Sequence, residues 1–301
     1  MDDPARLFYS GETISLRLAI VLSLDQGSIF MNREERLPKG NRKEKMKHLA
    51  KLASALLVGL GLVTAVNAQS ALNEILDSGT LKVGTTGDWN PMSVRDPATN
   101  TYKGFDIDVM TELAKDMGVE VEFVPTDWKT LVNGVVAGKY HLTGSASISA
   151  PRMKVAGYSE SYLSAEIFPF TMSDQADRFD GHDSVNQSGV KVATTLGTAF
   201  QGMVEEWYPN AEIKLVEGPA RGYQEVIAGR ADVFITSNIE GATLAEKFDI
   251  TRVKNAEARS PAVIGMLMPQ EDQVWINYVS NWIKMKEARG FFEETKAKWG
   301  L

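Results

Sequence analysis

Lys82-Val83-Gly84-Thr85-Thr86-Gly87-Asp88-Trp89-Asn90-Pro91 is the stretch whose reading decides the fold. Leu81 to Gly84 read as the end of a short buried strand, which runs into a loop carrying two hydroxyls, a carboxylate and an indole. Pro91 stops any continuation of the strand. A strand that ends this way sets those groups at the carboxyl edge of a sheet, where open α/β sheets hold their ligands. Gly87 permits backbone conformations closed to other residues and lets a ligand come close. A polar loop that holds nothing reads the same way, because loops are polar in general.

Working outward, the same pattern repeats. Ala71–Leu76 is a short helical lead-in closed by Gly79. Beyond the turn cluster Pro97–Asn100, Gly104-Phe105-Asp106-Ile107-Asp108 opens a helix that runs to Met117. Asp106 or Asp108 is placed to serve the free amides of its first turn. Val119–Val124 alternates as a strand does and ends in a second polar loop, Thr126-Asp127-Trp128. A helix over Lys129–Val136 and a strand over Tyr140–Gly144 complete a β-α-β-α-β order, which predicts a mostly parallel sheet covered by helices. Small polar residues, Ser145–Ser149, lead to Pro151-Arg152 at a helix start, and Ile167–Met172 reads as a further strand.

A second α/β set follows. Its strands are Val190–Ala193, Glu212–Leu215 and Ala231–Ile235, with loops Thr194–Thr198 and Thr236–Glu240 at their ends. After Pro261, Ala262–Met268 is a strand, and Val274–Glu287 shows helical spacing of apolar residues. The expectation is an α/β fold of two lobes joined by extended crossovers. One lobe takes residues 69–169 and 264–301, the other 170–263.

The N-terminus reads differently. Lys43, Lys45, Lys47 and Lys51 precede an apolar run over Leu52–Val63, and Val66-Asn67-Ala68 supplies a small-residue cleavage site. That is the order of a secretory signal peptide over 46–68, cut after Ala68, with 1–45 as an upstream extension outside the mature protein. Of 32 Lys/Arg and 39 Asp/Glu, ten and seven fall before the cut, which leaves a net charge of −10 on residues 69–301. An acidic exported chain is a poor nucleic-acid or anionic-membrane binder. The sequence has no cysteine, so disulfides and cysteine metal sites are excluded. His48, His141 and His182 form no metal motif. No metal or cofactor is expected.

Several of these motifs, taken in order, resemble the type II periplasmic solute-binding proteins of the amino-acid class, solute-binding family 3. They are Gly104-Phe105-Asp106-Ile107-Asp108, Ser147-Ile148-Ser149 with Arg152, Gly197-Thr198, and Gly229-Arg230-Ala231-Asp232. The resemblance implies a two-lobed fold that hinges shut on a small solute, a monomeric protein, and a permease partner in the inner membrane. Gly84–Trp89, Pro125-Thr126 with Trp128, and Ile239-Glu240 are similar to the family's cyclohexadienyl dehydratase branch. That likeness implies Glu240 as general acid, with Asp88 and Trp128 lining the site. Two positions depart from the pattern. Ile167 stands where that branch carries a lysine, and Ser237 stands where many transport members carry the aspartate that holds an ammonium.

The candidate ligand residues are Asp88, Trp89, Trp128, Ser147, Ser149, Arg152, Thr198, Ser237 and Glu240. Arg152 offers a planar fork of donors to a carboxylate, a role the resemblance implies; by itself it also reads as a surface arginine at a helix start. Thr198, Ser147 and Ser149 add donors to the same anion, although such residues are commonly plain turn and cap residues. Trp89 and Trp128 offer flat apolar walls, or fill the core. Asp88 and Glu240 receive a cationic or hydroxyl group in a binding protein. In a dehydratase Glu240 protonates the departing hydroxyl and Asp88 holds its geometry. Prephenate has two carboxylates, and burying them calls for two cationic partners. Arg152 is one, and Lys129 is a candidate for the second. The expectation is therefore a periplasmic binding protein of an ABC-type uptake system for a small carboxylate-bearing solute, with the dehydratase as the alternative.

Overall fold

A computed structural model describes residues 69–301; the signal-peptide and upstream-extension readings lie outside the described residues. Helix α1 (Ala71–Ser78) starts at Ser70, whose Oγ accepts from the Leu72 amide, and ends at Gly79 in the left-handed region. β1 (Thr80–Thr85) follows. A small antiparallel sheet comes next, made of β2 (Asp88–Trp89), β3 (Ser93–Arg95) and β4 (Tyr102–Lys103). The first α/β set continues with α2 (Phe105–Met117), β5 (Glu120–Pro125), α3 (Leu131–Val136), β6 (Leu142–Ser147) and α4 (Ala150–Met153). β7 (Gly157–Tyr158) and the long β8 (Leu163–Met172) lead away from it.

The second set holds α5 (Gly181–Val185), β9 (Lys191–Thr195), α6 (Ala199–Trp207), β10 (Glu212–Val216), α7 (Gly222–Ile227), β11 (Val233–Ser237), α8 (Asn238–Lys247) and β12 (Ile250–Arg252). The long β13 (Arg259–Met268) returns to α9 (Gln273–Ala288) and α10 (Phe291–Trp299).

The main path of the large sheet runs β10-β9-β11-β8-β13-β6-β1-β5. β1 pairs in parallel with β5 and β6, and β9 pairs in parallel with β10 and β11. These are the two parallel blocks that the α/β alternation predicts. Between them lie β8 and β13, antiparallel to each other and to the block strands they flank. Both are ten residues long, and they join one block to the other. Their pairing shifts register between Arg259 and Ala262, so the ladder is locally interrupted there.

Each block has its own core. The first gathers α1, β1, α2, α9 and α10, through Ile75, Leu81, Leu113, Trp275, Val279 and Phe292. α2 buries Phe105, Val109, Met110, Leu113, Ala114 and Met117, a spacing that keeps one face inward. The second and third cores lie on the β9–β11 block, around Val192, Val204 and Val233, and around Phe168, Phe170 and Phe234. Full burial of a Leu, Val or Phe stabilises by about 1.5–3 kcal/mol, so each block is held by its own apolar interior.

Two local expectations need correction. Asp106 makes no cap bond to the first turn of α2. It is buried, and it accepts from Tyr162 Oη at 2.8 Å and from Ser145 Oγ. Gly87 does take a positive φ, 66°, but a Cβ there would meet Arg95 Cβ and Tyr102. The glycine therefore serves the close packing of the small sheet on its own loop.

Candidate functional site

Strand ends from both blocks meet. The pairing of β1 with β5 runs Thr80↔Glu120 to Thr85↔Pro125, so the two strands stop at the same level. Their loops lie side by side, and Trp128 Nε1 donates to Asp88 Oδ1 at 2.9 Å and Oδ2 at 3.0 Å. Trp89 crosses Trp128 edge to face, with ring centroids 6.1 Å apart. Both indoles are buried and belong to the first core, and both also line a small cavity.

The second block contributes Arg221, which follows the end of β10. Its guanidinium is buried, and Nη2 donates to Glu240 Oε2 at 2.8 Å. Nη1 lies 3.7 Å from Asp88 Oδ2, and the guanidinium carbon is 5.8 Å from the centre of the Trp128 ring. Burial works against this charge, but Glu240 and Asp88 outweigh it and hold Arg221 even more firmly protonated than usual. Glu240 Oε2 also accepts from Thr236 Oγ1. Its amide donates the cap bond to Ser237 Oγ at 3.2 Å, which fixes Glu240 in the first turn of α8.

A cavity of about 20 Å³ lies beside these groups, lined by Trp89, Trp128, Ser147, Arg152, Thr198 and Arg221 among others; Asp88 and Glu240 are not among its lining residues and reach it only through Arg221 and Trp128. That is room for about one water. Arg152 is buried at its edge. Nη1 donates to the Ser147 carbonyl and Nη2 to the Gly197 carbonyl, both at 3.1 Å. The reading of Arg152 as a surface residue is thereby set aside: its fork bridges the first block to the second. Gly197 is where they press closest. Its φ is 81°, and a Cβ there would lie 2.6 Å from the Lys129 backbone. Thr198 lines the cavity while its hydroxyl donates to the Thr195 carbonyl at 2.7 Å.

Other expected residues sit elsewhere. Ser149 is half-buried at the start of α4, makes no cap bond there, and is not among the cavity-lining residues. Ser237 is fully buried, with its hydroxyl committed to the α8 cap. Lys129 does not reach in: its Nζ pairs with Glu217 at 2.8 Å, on the exposed side of the seam. The second buried cation is Arg221, which sequence reasoning passed over. The signal for it is present in the sequence, since Glu217–Arg221 follows a third parallel strand end of the second block. Among the described residues no cluster of His, Asp and Glu is arranged to hold a metal.

Comparisons with known proteins bear on the family and the fold. The cyclohexadienyl dehydratase of Pseudomonas aeruginosa is 28% identical over 256 residues, covering 84% of this chain and 94% of that protein. The L-cystine-binding protein of Escherichia coli is 23% identical over 261 residues, covering 85% and 97%. The crystal structure of an ancestral amino acid-binding protein, described as a precursor of cyclohexadienyl dehydratase, superposes with a TM-score of 0.72 at 34% identity, covering 76% of this chain and 99% of that one. The model of the bacterial extracellular solute-binding proteins, family 3, matches residues 81–301. With two parallel blocks joined by paired long strands and their loops closed on one cavity, the chain belongs to that family.

Proposed function

We propose that this protein is the solute-receiving component of an ABC-type uptake system. It reaches the periplasm through the signal peptide over 46–68, and lobes 69–169 with 264–301 and 170–263 close on a small carboxylate-bearing solute, an amino acid or a related organic acid. The closed form then docks as a monomer on the permease. The relatives named for binding amino acids support this reading. The observation that carries it is Arg152, a buried guanidinium placed at the cavity edge that donates to a backbone carbonyl on each block. A guanidinium can grip a carboxylate with two parallel bonds, and here that grip would also tie the lobes together.

A second reading has its own support. Asp88, Trp128 and Glu240 gather around Arg221, beside the cavity that Trp128 and Arg221 line, and the similarity to the dehydratase implies these three residues. Two observations rank it lower. Glu240 Oε2 is engaged as an acceptor by Arg221 and Thr236, so that oxygen is not free to donate to a substrate. Ile167 is fully buried and paired with Ser237 and Arg259, so no cation enters from that position.

Calorimetric screening of amino acids, diacids and cyclic carboxylates, run beside a phenylpyruvate-release assay on prephenate and arogenate, separates the two. Micromolar or tighter binding without turnover is the expected result. Phenylpyruvate release that disappears in Glu240→Gln would reverse the ranking.

A further inference from the structure

Two buried donors on residues that line the cavity are unpaired. Arg221 Nη1 and Trp89 Nε1 are shielded from solvent and hydrogen-bond to nothing, and both residues line the cavity. The 3.7 Å from Nη1 to Asp88 Oδ2 is an ion pair too long for a hydrogen bond. A buried donor left in this state costs free energy that a bound acceptor would recover.

The groups around Arg221 are those with which a protein receives a cation: two carboxylates, Asp88 and Glu240, and the face of an indole, Trp128. The chain's own guanidinium fills that place. A solute cation arriving here would meet a second positive charge and find both acids occupied. A solute carboxylate would crowd a third anion around one guanidinium. An uncharged oxygen would accept from Arg221 Nη1 and Trp89 Nε1 and add no charge.

We propose that Arg221 is the specificity-determining residue of this site. It is a built-in occupant of the cation end, so the protein selects acids whose far end presents an uncharged oxygen and rejects those ending in a cation. The proposal rests on the carboxylate reading of Arg152 given above.

Arginine and citrulline have the same length and differ in a cationic guanidinium against an uncharged ureido oxygen; glutamate and glutamine supply the anionic comparison. The four are titrated by calorimetry into the wild type, Arg221→Ala and Arg221→Gln; the glutamine variant keeps polar bulk should the alanine variant fail to fold. The wild type is expected to bind citrulline at least tenfold more tightly than arginine, and glutamine more tightly than glutamate. In the variants arginine affinity rises at least tenfold, since Asp88 and Glu240 are freed. A wild type that takes up none of the four, with a variant that newly binds arginine, supports the same conclusion. A wild type that prefers arginine to citrulline, or variants in which arginine gains nothing, overturns it. Arg152→Ala in the same titrations reports on the carboxylate anchor alone. Unchanged affinity there removes that anchor and leaves the charge preference at the far end to be read separately.

Discussion

Asp106 shows what a single side chain does in a role its neighbours in sequence do not reveal. It lies at the first turn of α2, where an acid commonly serves free amides, yet it is buried beneath the cavity-lining Ser145 and bonded to Tyr162. Tyr162 Oη in turn accepts from the Ser145 amide at 2.8 Å, so the pair fixes the backbone at the end of β6. Burial pushes the Asp106 carboxyl up to about 7, against a lesser opposite effect of the Tyr162 hydrogen bond. A folded-state value above the unfolded one means the folded protein holds this proton more tightly. Its contribution is complete below about pH 4 and is lost as pH rises to about 7, with an amplitude on the order of 4 kcal/mol. Asp106→Asn should accept from Tyr162 and donate to Ser145 without titrating. Denaturant melts at pH 5 and pH 8 are expected to show the wild type losing stability at the higher pH and the variant losing much less; equal losses in both would contradict this. The residue types at Asp88, Trp89, Trp128, Arg152 and Glu240 were legible because each follows a strand end. Their pairing was not. That Arg221 neutralises Glu240 depends on a contact between β10 and α8 loops that no local pattern encodes.

Elements were read more easily than contacts. The alternation of strand and helix in each block follows from hydrophobic period and glycine stops, and it predicts parallel pairing within blocks. The features that escaped are short or irregular. The small β2-β3-β4 sheet is built from strands of two or three residues, too short for a period to show. β8 begins at Leu163, four residues before the expected start; its first half pairs with β13 and alternates, with Ser164 and Glu166 exposed and Ala165 and Ile167 buried, but its small and polar residues carry little strand propensity. β12 is a three-residue strand added to the edge of β8. The Gly197 loop at the end of β9 carries the sharpest consequence at this scale. A side chain there requires an unfavourable positive φ and a Cβ 2.6 Å from the Lys129 backbone. Gly197→Ala is expected to fold with a stability loss of about 1–2 kcal/mol and to weaken ligand binding by at least tenfold, since the lobes cannot meet. A calorimetric titration beside a denaturant melt checks both, and full affinity in this variant would show that the contact is not needed for closure. The exposed Lys129–Glu217 pair at the same seam is worth only about 0.2–1 kcal/mol and does not explain the closed arrangement.

Across the whole molecule, β8 and β13 are the only long strands shared by the two parallel blocks among the described residues, and the buried contacts of Arg152 and Arg221 cross between those blocks. A cavity of about 20 Å³ is too small for an amino acid, so on the proposed reading a solute enters from a more open form. Ligand that binds only the folded protein at a hundred times its Kd stabilises it by about 2.7 kcal/mol. For a chain of this size that amounts to a melting-temperature rise of roughly 5–10 °C, measurable by calorimetric scanning. The central claim, that a carboxylate is gripped by Arg152 where the lobes meet, is tested most directly by titrating the best-bound carboxylate of the screen into wild type and Arg152→Ala, with Arg152→Lys as a folded control. The account predicts micromolar or tighter binding by the wild type and a loss of at least a hundredfold in Arg152→Ala. Wild-type affinity retained in Arg152→Ala would contradict it.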